Sequence, residues 1–245
     1  MKLSIIVPAY NEAGEERNFI KTLESYYDFL NKNYPDFEMG IIPNNCSDDT
    51  PKLTAKFVKS HLKAWWYEIK EYSGKGGAVM RGFDIAQGDW IAFVDADNAT
   101  TVQEFYKCLR KGIGKRDDGV IASRRMPGAK IDPPRKFFQT ASSWVFNFVT
   151  NMLFILGYLD TQCGCKIFSK ECAKFLIENY SETGWNFDVD LLYLCRTNGF
   201  EINEYPINWT DTAGGKVSAM EGVKAVLSLF KYRVRKWKEG LLSSL

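Results

Sequence analysis

Two aspartates stand one residue apart directly after an apolar run, and this spacing is the first sign of chemistry in the 245-residue chain. The run from Trp90 to Val94 is typical of a strand buried on both faces, and Asp95 and Asp97 follow it at once. At the carboxyl end of a strand in an open α/β sheet, two carboxylates can hold a divalent cation against a diphosphate. An isolated Asp-x-Asp is more often a solvated turn, so the pair needs support from the rest of the chain.

Other polar side chains follow the neighbouring apolar runs in the same way. Tyr10 and Glu12 follow the first run, Asn44 follows the second, and Lys75 lies in a glycine-rich loop that opens a helix. In a parallel sheet with right-handed crossovers, all of these turns lie along one edge. A glycine-rich turn is more often only a turn, but beside an acidic metal site a lysine and free helix amides would complement a diphosphate. The sequence therefore predicts one crevice that combines these groups.

The order of apolar and polar runs predicts an α/β fold with a mostly parallel central sheet and helices on both faces. Expected strands cover residues 3–8, 37–42, 64–69, 90–94, 120–125 and 200–209. One expected helix ends at residue 33, and a second begins at about residue 51. Further expected helices cover residues 74–87, 102–111, 171–180 and 187–197.

Composition excludes several classes of protein. The 32 Lys and Arg residues nearly balance 30 Asp and Glu residues, which argues against a dedicated nucleic-acid binder. Six cysteines without a Cys-x-x-Cys pair, and no signal-peptide pattern before the first strand, predict reduced thiols in the cytosol. The single histidine, His61, lies in a lysine-flanked helix, so catalysis by histidine is not expected. No apolar window reaches the roughly 20 residues that span a bilayer.

Two amphipathic segments stand apart from the alternating pattern. Residues 137–159 are mostly aromatic and aliphatic, with a narrow polar stripe formed by Thr140, Ser143, Asn147, Thr150 and Asn151. Such a helix is either buried or laid along a membrane interface. Residues 217–238 form a basic amphipathic helix with Phe230 and Trp237 on its apolar side, which suits an anionic bilayer or packing against the domain. Two such segments in one chain favour peripheral membrane association.

Two charged groups remain open to two interpretations. Arg124, Arg125, Arg135 and Lys136 form a local basic group that is either a solvated loop or an anion site for a phosphorylated acceptor. The acidic pair Asp188 and Asp190 stands at a predicted helix start, where carboxylates favour the macrodipole without any chemistry.

Six motifs, in order and spacing, resemble the family 2 inverting glycosyltransferases with the glycosyltransferase-A fold. They are Ile6-Val-Pro-Ala-Tyr-Asn-Glu12, Ser73-Gly-Lys-Gly76, Phe93-Val-Asp-Ala-Asp97, Ala122-Ser-Arg124, Asp160-Thr-Gln-Cys-Gly164 and Trp185-Asn-Phe-Asp-Val-Asp190. Over residues 3–216 the chain is most similar to the dolichyl-phosphate glycosyltransferases, and its Asp-Thr-Gln-Cys-Gly block resembles the glucosyltransferase branch.

The resemblance implies roles for individual residues. Pro8, Tyr10 and Glu12 would line the nucleoside pocket, and Lys75 would lie beside it, while the crevice adds Asn44 to the donor site. Asp95 and Asp97 would hold Mg²⁺ or Mn²⁺ against the sugar-nucleotide diphosphate. Asp97 would act in catalysis through this metal. Arg124 and Arg135 would grip the acceptor phosphate. Asp188 would be the catalytic base or would only orient the acceptor, because a phosphate monoester is already anionic.

The implied activity is transfer of a hexose, glucose favoured, from a nucleotide-sugar to dolichyl or polyprenyl phosphate with inversion. UDP-glucose is the favoured donor and GDP-mannose is possible, because Pro43-Asn-Asn-Cys46 replaces carboxylates that are common in the family. Transfer to a sugar hydroxyl and a non-catalytic membrane scaffold are the alternatives. We expect a catalytic domain over residues 1–216 and a basic amphipathic helix over residues 217–245, attached peripherally to the cytoplasmic face of a membrane.

Overall fold

Strands and helices alternate along the chain, as the sequence predicts. The computed structural model describes residues 1–14, 17–115, 117–134, 137–184, 186–210 and 219–242. The strands in these ranges are β1 (Leu3–Ala9), β2 (Phe37–Pro43), β3 (Ala64–Trp66), β4 (Trp90–Val94), β5 (Gly119–Ser123), β6 (Lys130–Asp132), β7 (Cys165–Ser169), β8 (Ile202–Pro206) and β9 (Asn208–Thr210). The helices are α1 (Phe19–Asn33), α2 (Thr50–Ser60), α3 (Gly74–Ile85), α4 (Val102–Lys115), α5 (Phe137–Phe154), α6 (Lys170–Asn179), α7 (Phe187–Thr197) and α8 (Ala219–Leu242).

In the described ranges, seven strands form the central sheet in the order β3-β2-β1-β4-β7-β5-β8. All neighbours are parallel except β7, which runs antiparallel between β4 and β5. Because β7 is reversed, the turn that precedes it lies beside the carboxyl end of β4, where Val94 pairs with Cys165. The mostly parallel sheet with helices on both faces is confirmed.

The core has two parts, one on each face of the sheet. Along β4, Ala92 and Val94 face the cluster that includes α1 and α4, while Ile91 and Phe93 face the cluster that includes α3, α6 and α7. All five residues of β4 are buried, because side chains of a strand alternate between two covered faces. Burial on both faces explains the continuous apolar run in the sequence.

Two predicted strands differ from the structure. The strand expected over residues 64–69 ends at Trp66, and Ile69 keeps only an isolated bridge to Asn44. The strand expected over residues 200–209 divides into β8 and β9 at Ile207, whose amide donates to Ser123 O of β5 at 3.0 Å while its carbonyl oxygen accepts the Lys130 amide of β6 at 3.2 Å. β9 then pairs with β6 in a small second sheet. The six cysteines are free thiols, in agreement with the sequence.

The C-terminal part of the polar stripe of helix α5 faces inward. Asn147 and Thr150 are buried, and Asn147 and Asn151 hydrogen-bond the turn around Tyr158. The opposite side is apolar and open to solvent, and it continues on α8, which packs against α5 through Tyr232. We define the apolar face as the exposed residues Trp144, Val145, Phe148, Met152, Leu227, Phe230, Val234 and Trp237.

Helix α8 packs against the domain, which is one of the two alternatives that its sequence left open, and its contact with a bilayer stays a prediction. Ala225, Leu229 and Tyr232 are buried against the domain, while the residues it gives to the apolar face stay exposed. Among the described helices, none is at once long enough and apolar enough to cross a bilayer.

Candidate active site

Asp95 lies at the carboxyl end of β4 and is paired with Lys75. The Lys75 Nζ is 2.5 Å from Asp95 Oδ1, and both side chains are more than a third exposed. Burial works against the ammonium charge, but the carboxylates of Asp95, Asp188 and Asp97 raise the pKa of Lys75 above its ordinary value. The predicted metal ligand and the predicted diphosphate lysine are therefore brought together.

The loop that carries Lys75 depends on the glycines on either side of it. Gly74 has a φ of +68°, and a Cβ there would lie 2.3 Å from the carbonyl oxygen of Thr183. A Cβ on Gly76 would lie 2.5 Å from the ring of Phe187, and the Gly76 amide donates to Thr183 O at 2.9 Å. The glycines let the first turn of α3 pack directly against Thr183 and Phe187, which fixes the position of Lys75.

A third glycine forms a cradle for Asp95. A Cβ on Gly164 would come within 1.7 Å of Asp95 Oδ2, and the Asp95 amide donates to Gly164 O at 3.0 Å. Any larger residue at this position would displace the Asp95 carboxylate. This contact gives a physical reason for the last residue of the Asp160-Thr-Gln-Cys-Gly164 block.

Three buried polar atoms in the described residues have no hydrogen-bond partner: Glu12 Oε2, Asn98 Oδ1 and Gln162 Nε2. Glu12 follows β1, Asn98 follows β4, and Gln162 precedes the reversed β7, so all three belong to turns at the same edge of the sheet. An unsatisfied buried polar atom is costly in a folded protein. Their shared edge indicates a site for a polar ligand.

Glu12 has an unusual protonation equilibrium. Burial raises its pKa most, Arg17 opposes this effect, and the charges of Asp97 and Asp95 add to it, giving a pKa of about 7 instead of 4.5. The three carboxylates are thus close enough to repel one another electrostatically. A bound cation would relieve this repulsion.

The donor set suits a hard divalent cation. No group of three or more His, Cys, Asp or Glu side chains gathers as a metal site in the described ranges. Mg²⁺ usually binds through one or two carboxylates together with substrate phosphates, so Asp95 and Asp97 with a diphosphate would suffice. Asp97 Oδ1 accepts the Ala99 amide at 2.9 Å, which fixes the turn after β4. The Glu12 and Asn98 oxygens that lack hydrogen bonds and the Gly164 cradle fit such an ion.

Other predicted donor residues lie at the same edge but differ in exposure. Tyr10 is exposed, whereas Pro8 is buried in β1. Asn44 is buried and binds the Lys75 loop, donating to Gly74 O at 2.9 Å and accepting from Ser73 Oγ at 3.1 Å. Asn44 therefore positions the loop, and its direct contact with a donor stays a prediction.

On the acceptor side, Arg124 is paired with a protein carboxylate, and its contact with the acceptor phosphate stays a prediction. Its Nε and Nη2 donate to the two oxygens of Asp160 at 2.7 and 2.8 Å, and both side chains are at most a tenth exposed. Burial alone would raise the pKa of Asp160, but the Arg124 guanidinium lowers it to about 2. Arg135, the second predicted phosphate ligand, lies outside the described residues.

Asp188 has a partner that the sequence did not reveal. Lys166 of β7 is completely buried, and its Nζ is 2.5 Å from Asp188 Oδ1. A lysine between Cys165 and Ile167 in an otherwise apolar strand was the available signal. Asp190 binds elsewhere, accepting the Ser181 and Glu182 amides at 2.6 and 2.8 Å and the hydroxyl of Tyr232 from α8.

A separate cleft of about 650 Å³ lies beside this site, and Tyr67, Lys70, Arg81 and Tyr180 are among its lining residues. None of the predicted site residues that the structure describes lines it, so the cleft does not define the candidate active site.

Comparisons with known proteins agree with this geometry. Residues 4–176 match glycosyl transferase family 2. Dolichyl-phosphate beta-glucosyltransferase of Dictyostelium discoideum is 31% identical over 254 residues, which cover 96% of this chain and 76% of that protein. The Homo sapiens protein of the same name is 30% identical and covers 88% of this chain and 69% of its own length.

Among solved structures, a similar fold occurs in glucosyl-3-phosphoglycerate synthase from Mycobacterium tuberculosis in complex with Mn²⁺, UDP and glucosyl-3-phosphoglycerate. The TM-score is 0.66 at 18% identity, over 95% of this chain and 79% of that one. The fold is the glycosyltransferase-A fold, and the chain belongs to glycosyl transferase family 2.

Proposed function

We propose that this protein transfers glucose from UDP-glucose to dolichyl phosphate or a related polyprenyl phosphate, with inversion at the anomeric carbon. The observation that carries the proposal is the 31% identity to a dolichyl-phosphate beta-glucosyltransferase over 96% of the chain. That similarity includes the half after β4, where acceptor choice is expected to lie, and not only the donor half.

The donor half supplies charge and position. Asp95 and Asp97 would hold Mg²⁺ or Mn²⁺, which when bound offsets the negative charge on the leaving diphosphate. Lys75, on the first turn of α3, would leave Asp95 for the diphosphate oxygens, and the helix amides would add to its effect. Tyr10 and Glu12 would contact the nucleoside.

The reaction is one displacement. An oxygen of the acceptor phosphate forms a bond to the anomeric carbon while the bond from that carbon to the diphosphate oxygen breaks, and the nucleoside diphosphate leaves with the electron pair. The acceptor brings its own negative charge, so no strong base is required. Asp188 suits this chemistry, because its Oδ1 is already held by Lys166 at 2.5 Å. Transfer to a sugar hydroxyl would instead need a base that is free to remove a proton.

The lipid acceptor implies a membrane surface, and the apolar face is the part of the molecule that suits it. Helix α5 buries Asn147 and Thr150 and exposes Trp144 and Phe148, the reverse of an ordinary surface helix. Lys224, Lys231 and Lys238 of α8 are exposed and would attract anionic lipid headgroups. This face would hold the enzyme peripherally on the bilayer that contains its acceptor.

The activity is tested by offering the purified chain Mn²⁺, dolichyl phosphate and radiolabelled UDP-glucose or GDP-mannose. We expect label in the lipid extract with UDP-glucose, a loss of more than a hundredfold in Asp95→Asn, and no change in Asp84→Asn, whose carboxylate pairs with Arg81 on the surface. Absence of glycolipid with every donor would contradict the proposal. Label on an added saccharide would favour the hydroxyl-acceptor alternative.

The membrane contact is tested by flotation with vesicles that contain phosphatidylserine. Each large apolar side chain contributes about 1.5–3 kcal/mol when fully buried, so Trp144→Ser with Phe148→Ser should weaken binding at least tenfold. Leu62→Ser is the matched control, because Leu62 is 99% exposed and lies outside the apolar face. Equal flotation of both variants would exclude the apolar face as the lipid contact.

A further inference from the structure

A completely buried lysine lies in the middle of the central sheet. Lys166 pairs with Phe93 of β4 and Ile121 of β5, and its side chain has no exposed surface. A buried charge is costly unless it is paired, and replacing a buried ion pair by apolar residues is often neutral or stabilising. Stability alone is therefore a poor explanation for a lysine in this strand.

The Lys166 ammonium links three parts of the site. Its Nζ is 2.5 Å from Asp188 Oδ1 and donates to the carbonyl oxygen of Cys163 at 2.9 Å. It also lies 5.4 Å from the centroid of the Phe93 ring, two residues before the predicted metal ligand Asp95. Lys166 thus joins the first turn of α7 to the turn before β7 and to the end of β4.

Charges of both signs lie near the Phe93 ring. Lys75 lies 5.5 Å from the same Phe93 centroid, so two lysines share one aromatic ring. Each is paired with a carboxylate, Lys75 with Asp95 and Lys166 with Asp188. Because both lysines lie within 5.5 Å of the Phe93 centroid, the Asp188 pair and the donor pair are neighbours.

An anionic acceptor at this place faces a physical difficulty. If the acceptor phosphate approaches Asp188, as the proposed function requires, like charges within a few ångströms repel each other strongly in a partly buried site. We propose that Lys166 is a positioning residue, which holds the Asp188 carboxylate in place and offsets its charge so that the acceptor phosphate can approach. The inference rests on the proposed function and adds a residue that determines acceptor class.

The test measures binding of a short, water-soluble prenyl phosphate by calorimetry with Mn²⁺ and UDP present. Lys166→Met should weaken prenyl phosphate binding, and raise the acceptor KM, at least tenfold while the UDP Kd stays within about twofold. When Asp188→Asn is already present, adding Lys166→Met should change prenyl phosphate affinity less than about threefold, because no carboxylate charge remains to be offset. Lys170→Met, on the exposed first turn of α6, is the matched control.

Two results would overturn the inference. One is a joint fall of UDP affinity, prenyl phosphate affinity and thermal stability in Lys166→Met, which is what a purely structural lysine gives. The other is an equal effect of Lys166→Met with and without Asp188→Asn. If Lys166→Met does not fold, Asp188→Asn can still be compared with the double variant. A tenfold difference in prenyl phosphate affinity between these two variants contradicts the charge-offset role.

The same experiment separates this inference from the proposed function. Binding of prenyl phosphate that depends on Lys166, without glycolipid formation by the unaltered protein, would reject the reaction and keep the positioning role. Glycolipid formation by the unaltered protein, with an unchanged acceptor KM in Lys166→Met, would keep the reaction and reject the positioning role. If the unaltered protein binds no prenyl phosphate, both are wrong.

Discussion

Two ion pairs lie on either side of the candidate active site and differ in burial and in geometry. On the donor side, Lys75 and Asp95 are 39% and 35% exposed and meet through one contact of 2.5 Å. On the acceptor side, Arg124 and Asp160 are 10% and 1% exposed, and the arginine donates through both its side chain and its backbone amide.

The difference indicates which cation is available to a ligand. A partly exposed pair is stabilised by no more than about 1 kcal/mol, so an incoming diphosphate can take the lysine. A buried bidentate pair loses several kcal/mol when one partner is removed, so Arg124 is held in place by Asp160. Lys75 therefore suits ligand exchange, whereas Arg124 suits support of the turn that carries Gly164.

The largest effect is expected from breaking the buried pair. Asp160→Asn leaves the Arg124 guanidinium buried without its counter-charge and should lower the free energy of unfolding by about 3–5 kcal/mol. Because the folded pKa of Asp160 is about 2, the stabilisation it provides is present above the unfolded value near 4 and is lost as the pH falls through about 2. Urea unfolding at pH 7 measures the effect.

Asp84→Asn is the control for this prediction, because its pair with Arg81 is 41% and 54% exposed. That substitution should change the free energy of unfolding by less than about 1 kcal/mol. A urea midpoint for Asp160→Asn equal to that of the control would contradict the structural role given to the acceptor-side pair.

A smaller effect is expected at Glu12, whose charge is opposed first by burial and then by the donor-side carboxylates. Its folded pKa of about 7 exceeds the ordinary 4.5, so the folded state holds the proton more tightly and stability decreases as the pH rises towards 7. The loss is up to about 3 kcal/mol in the absence of metal. Glu12→Gln cannot ionise and should lack this loss.

Urea unfolding in EDTA at pH 5 and pH 8 checks the prediction for Glu12. The stability advantage of Glu12→Gln over the unaltered protein should be larger at pH 8. An advantage that is the same at both pH values would mean that burial and the nearby carboxylates do not raise the pKa of Glu12.

The smallest effect on stability is expected from breaking the donor-side pair. Lys75→Met should change the free energy of unfolding by less than about 1 kcal/mol, yet weaken UDP binding in the presence of Mn²⁺ about tenfold, because a diphosphate contact is lost. Calorimetry of UDP measures this, with Lys52→Met as control, since Lys52 is 82% exposed and pairs only locally with Asp49. Unchanged UDP affinity would remove Lys75 from the donor site.

Local patterns predicted most of the fold because burial on two faces leaves a clear mark. The run from Trp90 to Val94 identified β4, and helical spacing identified α7 at residues 187–197 with the bounds that the structure gives. The same patterns did not give the antiparallel direction of β7, since a short buried strand has the same composition in either direction. The reversed strand is what places Gly164 against Asp95.

Local patterns also predicted part of the candidate site. Asp95 and Lys75 are polar residues at turns, and parallel topology alone brings such turns to one edge. Lys166 was missed because a lysine inside an apolar strand has no local signature of its partner, which lies 22 residues further on in α7. Arg124 was found, but its partner Asp160 is 36 residues away in the sequence.

By itself, the sequence determined the alternation of strands and helices, the edge at which the turns gather and the amphipathic character of α5 and α8. These features depend on periodicity and chain order, which are local properties. The tertiary structure alone decided which side of α5 is exposed, that Arg124 is paired with Asp160, and that Asp188 is held by Lys166. Those outcomes depend on burial and on contacts between distant segments, because the same charged residue binds a ligand when exposed and a protein partner when buried.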